Sequence, residues 1–352
     1  MKNSMMGSMK AITVKGMKPF WMAAVVAALP VYLVSDALFR TAILRDRSSS
    51  FLEKQWMKKL LCKMDGWCKQ TKSAKSNQGK SVEAGLKFSD FTEEIEKGRK
   101  WFQEQDKERL TMTAKDGIKL VAYYLPAAVE SRKILILMHG YRKDGFRDFA
   151  GLVRFYHERG YHLLMPYQRS HGESEGDAIC FGVKERYDLK QWIEYMAKRF
   201  GGACSIFLNG ISMGGATVLM ASGLGLPQQV KGIIADCAFT SPWEMFVSVL
   251  KRDCHLPVFP FLYMADWICR RRLGFSFKEC STISCMKENQ IPVLFIHGGK
   301  DDLVPLAMSS RNFDACVAKK KFLMIDRAAH GTCHLVEPEV YHSTVIEFME
   351  NC

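Results

Sequence analysis

Residues 205–220 read SIFLNGISMGGATVLM. An apolar run stops at Asn209, a serine follows between Gly210 and Gly214, and apolar residues resume. The pattern predicts a strand, a sharp turn and a helix. A serine hydroxyl is a poor nucleophile unless it is exposed with a base beside it. A sharp strand-to-helix turn exposes it but crowds the backbone. Glycines two positions before and two after the serine remove the side chains that would collide. Gly215 and Ala216 let the helix begin close to the sheet, and the free N–H groups of its first turn suit a developing negative charge. Ser212 is therefore the candidate nucleophile. A glycine-rich turn or cofactor loop is the other reading of the same residues.

Working outward, short apolar runs alternate with longer amphipathic ones. RLTMTAKDGIKLVAYYLPA, from residue 109, predicts two strands around an Asp-Gly turn. ILILM (134–138), YHLLMP (161–166), SIFLN (205–209), VKGIIAD (230–236), PVLFIH (292–297) and KFLMID (321–326) predict six more. Helical patterns fall between them in RDFAGLVRFYHERG, VKERYDLKQWIEYMAKRFG, the stretch after Ser212, and SSRNFDACVAKK, with VYHSTVIEFMEN at the end. Strands separated by helices predict an α/β fold with a mainly parallel sheet. The aromatic, cysteine-containing stretch from about 240 to 288 contains no clean strand and is expected to form a small helical cap.

In such a sheet, ligands sit beyond the carboxyl ends of the strands. A serine nucleophile needs a histidine base and an orienting acid, which follow it in the chain in this architecture. IHGGKDDLVP places Asp301 and Asp302 just past one strand, and RAAHGTCH places His330 and His334 past the next. Ser212, Asp301 and His330 form the expected catalytic set. Asp302 or Asp236 could be the acid instead, and His334 could replace His330. The oxyanion would be held by two backbone N–H groups, one from Met213 and one from Tyr141 in the MHGYRKD loop. His139 and His171 are expected to be structural. No metal or cofactor is required.

Across residues 110–350 the chain resembles the α/β-hydrolase superfamily. It is most similar to membrane-anchored bacterial hydrolases related to serine aminopeptidases and prolyl-oligopeptidase-like enzymes. The resemblance is carried by LMHGY, YQRSHGESEG, FGVKERYDLKQWIEY, NGISMGGATVLM, IIADCAFTSPWEMF, IHGGKDDLVP and AAHGTCH. It implies an α/β-hydrolase fold, Asp301 as the acid of a DxxVP stretch, His330 as the base, and Tyr141 and Met213 as oxyanion donors. Tyr167-Gln168-Arg169 departs from the usual Asp-x-Arg in a loop that is structural in the family.

The rest of the chain differs in character. The whole carries a net charge of +13, yet residues 1–87 hold 16 Lys/Arg and 5 Asp/Glu, a balance of +11. Such a region suits nucleic acid or an anionic membrane surface. The neighbouring PFWMAAVVAALPVYLVS favours the membrane. With DALF it reaches 21 residues, close to the roughly 20 that span a bilayer. Residues 1–18 are thus expected to be a basic tail, 19–39 a transmembrane anchor, 40–107 a basic juxtamembrane segment and 108–352 the hydrolase domain. A cleaved leader or a buried core helix would also fit 19–39. Lysines before the segment favour a cytosolic N-terminus, Arg40, Arg45 and Arg47 weaken that preference, and twelve cysteines without a CxxC pair read mostly as free thiols. At 48% apolar and 25% charged residues, the chain can build a full core and is not a disordered protein. The expected activity is a serine hydrolase acting on a small ester, thioester or amide, with esterase preferred. A serine aminopeptidase acting on short peptides and a membrane-tethered binding protein are the alternatives.

Overall fold

This computed structural model describes residues 19–45 and 85–352, without the side chains of residues 19–28. The basic tail and residues 46–84 of the expected juxtamembrane segment lie outside the described residues. One eight-stranded sheet organises the molecule, in the order β1-β2-β4-β3-β5-β6-β7-β8. The strands are β1 (Glu108–Thr113), β2 (Lys119–Leu125), β3 (Lys133–Met138), β4 (Tyr161–Tyr167), β5 (Ser205–Ile211), β6 (Val230–Asp236), β7 (Val293–Gly298) and β8 (Lys320–Ile325). β1, β2 and β4 pair antiparallel, and all later pairs are parallel. This is the predicted α/β-hydrolase architecture. Strands covered on both faces should be apolar throughout rather than alternating. In β3 every residue after Lys133 is buried, and in β7 every residue is.

Two apolar cores lie on the two faces. One contains Trp192, Met213, Leu219, Phe277 and Phe295, and the other Phe102, Phe149, Tyr156, Tyr341 and Phe348. The covering helices include α1 (Pro19–Ile43), α2 (Thr92–Glu104), α3 (Glu185–Arg199), α4 (Met213–Ser222), α5 (Pro242–Val249), α6 (Val258–Leu273), α7 (Leu306–Ala315) and α8 (Pro338–Glu350). The expected helix over RDFAGLVRFYHERG is instead two short turns, Gly145–Asp148 and Val153–His157. Their junction meets α2 closely: a Cβ on Gly98 would lie 1.9 Å from the Ala150 carbonyl oxygen. The cap consists of α5, a π-helical turn at Leu250–Cys254, α6 and the short helix Thr282–Met286.

The described parts of the expected anchor and linker make contacts with the domain. No helix among the described residues is long and apolar enough to cross a membrane. The C-terminal half of α1 instead packs on the cap. Phe39 and Ile43 are buried in the sheet core, and Ser35 Oγ donates to the Phe261 carbonyl at 3.0 Å. Asp36 pairs with Arg272 at 2.7 Å. The chain then joins the domain, with Ile179 N–H bonded to the Ile43 carbonyl and Arg45 N–H to the Asp177 carbonyl, both at 2.8 Å. Residues 85–107 are also attached. Leu86 bridges Ala328, and α2 buries Ile95 and Phe102.

Candidate active site

β5 enters the turn at Gly210-Ile211, and α4 leaves it at Met213. Between them Ser212 takes φ 59° and ψ −116°, outside the regions an L-residue prefers. Such strain persists only when the surroundings fix it. Here the Ser212 N–H donates to the Asp236 carbonyl of β6 at 2.8 Å. The two framing glycines are required by distance. A Cβ on Gly210 would lie 2.2 Å from the Gly214 carbonyl oxygen, and one on Gly214 would lie 1.8 Å from that of Met138. The Ser212 side chain does not cap its own helix, so its hydroxyl is free for another partner.

That partner is His330. Its Nε2 lies 2.8 Å from Ser212 Oγ, and its Nδ1 lies 2.7 Å from Asp301 Oδ2. In this arrangement Nδ1–H donates to the carboxylate and Nε2 accepts from the hydroxyl. Asp301 is fixed by its own loop, because Oδ1 accepts the N–H groups of Leu303 at 2.8 Å and Val304 at 2.9 Å. Oδ2 is thereby left for the imidazole. His297 stands 3.3 Å from the same Oδ2, with Nδ1 at 2.7 Å from Ser309 Oγ and Nε2 at 3.0 Å from the Val304 carbonyl. Burial alone would raise the Asp301 pKa. The His330 hydrogen bond, the His330 and His297 charges and the Val304 N–H together hold it below the usual carboxylate value.

The loop after β3 runs beside the serine: a Cβ on Gly140 would lie 3.4 Å from Ser212 Cβ. Buried Asp148 accepts the Gly140 N–H at 2.7 Å and so fixes this turn. Its own pKa is raised by burial to about 6. His139 Nε2 accepts the Gln168 N–H, and His171 Nε2 accepts the Arg142 N–H. Burial lowers their pKa values to about 4 and about 3, so both act as neutral braces. Arg169 holds the neighbouring loop through Asp188 and Asp116, each at 2.7 Å. Tyr141 N–H makes no hydrogen bond among the described residues. Met213 N–H opens α4, where the first N–H groups have no intrahelical acceptor.

The other candidates lie apart from this relay. Asp302 pairs with Lys87 at 2.9 Å on the surface. His334 is buried between Phe88 and Tyr341 with neither ring nitrogen hydrogen-bonded. Asp236 is buried with neither carboxyl oxygen in a well-formed hydrogen bond among the described residues, and burial raises its pKa to about 7. Sequence reasoning missed Asp148 and His297, which act through contacts that only the folded loops make, although the "HG" beside each strand end marked the turns. Cys237, Asp301 and His330 are the group among the described residues whose ligand atoms, all within 4.8 Å, could hold a metal ion. Two of these three already serve the serine relay.

An apolar cavity of about 80 Å³ lies between α1 and the cap, lined by Phe39 and Ala42 of α1, Phe246 of α5 and Phe261 of α6. A chain of ring contacts runs from Tyr141 to Phe246 of this lining. Tyr141 stacks on Phe181 at 5.1 Å, and Phe181 meets Phe246 at 4.8 Å.

The family model for serine aminopeptidase S33 matches residues 129–271. The Bacillus subtilis protein YqkD is 25% identical over 250 residues, which cover 71% of this chain and 81% of that protein. Among solved structures, a Pyrococcus furiosus esterase superposes with a TM-score of 0.57 at 22% identity, covering 71% of this chain and 94% of its own. A Pyrococcus horikoshii acylaminoacyl peptidase gives 0.52 at 16% identity, over 71% of this chain and 42% of its own. With the eight-stranded sheet, these findings show that the chain has the α/β-hydrolase fold.

Proposed function

We propose that the protein is a serine hydrolase that cleaves a carboxylic ester through an acyl-enzyme formed on Ser212. The observation that carries this reading is the unbroken relay from Ser212 Oγ through both nitrogens of His330 to Asp301. His330 Nε2 takes the hydroxyl proton as Oγ attacks the substrate carbonyl carbon. Asp301 keeps the imidazole in the tautomer that presents Nε2 and stabilises the imidazolium. The Tyr141 and Met213 N–H groups receive the tetrahedral oxyanion, in a place where such donors are worth several kcal/mol (about 3 each). His330 then protonates the leaving alkoxide. Water, deprotonated by the same nitrogen, attacks the acyl carbon and releases the acid with Ser212 restored.

An ester is favoured over a peptide with a free amino terminus by the placement of acids. The carboxylates whose charges couple to His330, namely Asp148, Asp236 and Asp301, are all buried. None presents an open face to a substrate ammonium group. Turnover of p-nitrophenyl esters compared with aminoacyl-p-nitroanilides tests the assignment. Ester turnover that disappears in Ser212→Ala is expected. Preferential cleavage of the anilides would shift the assignment to the aminopeptidase reading. Turnover of neither class, with no loss on substituting Ser212, would leave the binding protein.

A further inference from the structure

A surface feature remote from Ser212 is not used by this chemistry. On α6, Phe259, Tyr263 and Trp267 are 73%, 50% and 50% exposed; Tyr263 and Trp267, four apart, share one helical face, and Phe259, at a kink before them, meets the Tyr263 ring at 5.8 Å. Beside them α1 exposes Leu29 at 53% and Leu33 at 48%. A shallow groove joins the two helices, with Tyr32, Pro260 and Met264 completing its lining. Five of the twelve exposed large hydrophobic residues among the described residues therefore gather on one pair of helices, which is a patch and not scatter.

The rim of this patch is cationic. Arg271 lies 5.7 Å from the Trp267 ring and Lys278 Nζ 4.6 Å from the Tyr263 ring. Neither makes an ion pair among the described residues. In the chain, the patch leads back through the uncharged PFWMAAVVAA of α1 to Lys18, Lys15, Lys10 and Lys2. Aromatic and aliphatic side chains fringed by arginine and lysine match the interface of an anionic bilayer. The rings occupy the headgroup level there, and each nearby cation adds about 1 kcal/mol of attraction. A second copy of the chain would instead bring two cationic rims together.

We propose that this face seats the protein on the surface of an anionic bilayer, with α1 and α6 lying against the lipid and neither crossing it. The proposal does not depend on the reading of Ser212. Flotation of the full chain with phosphatidylcholine vesicles, with and without phosphatidylglycerol, tests it beside the double variant Phe259→Glu/Trp267→Glu. Both side chains are too exposed to support the core, and an unchanged melting temperature checks that the variant is folded. The wild type is expected to float with phosphatidylglycerol vesicles and much less with phosphatidylcholine alone. The variant should partition at least about tenfold less. A variant that floats like the wild type, a wild type that floats equally with neutral vesicles, or one that floats with neither overturns the proposal. So does a wild-type dimer that the variant splits while vesicle binding stays absent.

Discussion

The Tyr141 hydroxyl donates to the Ala42 carbonyl at 2.8 Å, tying the end of the N-terminal helix to the loop beside Ser212. Arg142 completes the clamp. Its Nε donates to the Tyr141 hydroxyl at 2.7 Å, and its Nη2 to the carbonyls of Thr41 at 2.9 Å and Leu44 at 2.7 Å. The Thr41 carbonyl belongs to the last turn of α1 and Leu44 follows it, at a helix end where a cation is favoured. A segment that hydropathy assigns to lipid thus braces the backbone N–H proposed to hold the oxyanion.

Loss of that brace should lower the rate more than substrate binding. Arg142→Ala is predicted to reduce kcat by about ten- to a hundredfold, with a smaller change in KM. A chain lacking residues 1–45 should lose at least as much. Steady-state ester kinetics beside melting curves measure this. An Arg142→Ala protein with wild-type kcat would show that the helix is only attached to the loop and does not position it.

The two adjacent aspartates should separate sharply. Asp301→Asn removes the acceptor for Nδ1–H and favours the wrong tautomer, so kcat should fall by about 10⁴. Asp302 is exposed and pairs with Lys87 on the surface, so Asp302→Asn should stay within about twofold of wild type. The reverse ranking would move the acid to residue 302.

Asp236 should make the fold sensitive to a rise in pH from acid to neutral. Burial raises its pKa to about 7 in the folded state, against about 3.9 when unfolded. The folded protein therefore binds the extra proton between those values. Its contribution to stability is complete below about pH 4 and is lost as pH rises to about 7. Asp236→Asn keeps the shape without the charge. It should flatten the fall in melting temperature between pH 5 and pH 8, an effect on the order of a few kcal/mol. An equal fall in both proteins would remove Asp236 as the cause.

Gly214→Ala should be severe, because its Cβ would lie 1.8 Å from the Met138 carbonyl oxygen. Gly225 has φ 62°, and a Cβ added there would meet nothing within 4 Å, so Gly225→Ala should cost only the left-handed strain, about 1–2 kcal/mol. Thermal melts and ester turnover compare the two. A Gly214→Ala enzyme as stable and active as Gly225→Ala would contradict the close-packed elbow.

The strands along the chain and the positions of Ser212, Asp301 and His330 past their ends were legible because each depends on local pattern. The glycines around Ser212 announce a tight turn, and the other two residues follow apolar runs that could only be strands. The supporting groups were not legible. Asp148 matters because it meets Gly140, and His297 because it meets Asp301 and Ser309. These contacts are made by the fold and leave no motif. The contacts of the N-terminal helix were not legible for another reason. Hydropathy records that Phe39 and Ile43 avoid water, but not whether lipid or protein takes its place. Likewise α2 reads as polar, since only Ile95 and Phe102 of its thirteen residues are buried.

The central claim is that Ser212 is the nucleophile activated by His330. It is tested most directly by treating the full chain with a fluorophosphonate and locating the adduct by mass spectrometry. A single phosphonylated residue at Ser212 is predicted, with labelling abolished in Ser212→Ala and slowed strongly in His330→Ala. An adduct on another residue, or undiminished labelling of Ser212→Ala, would contradict it.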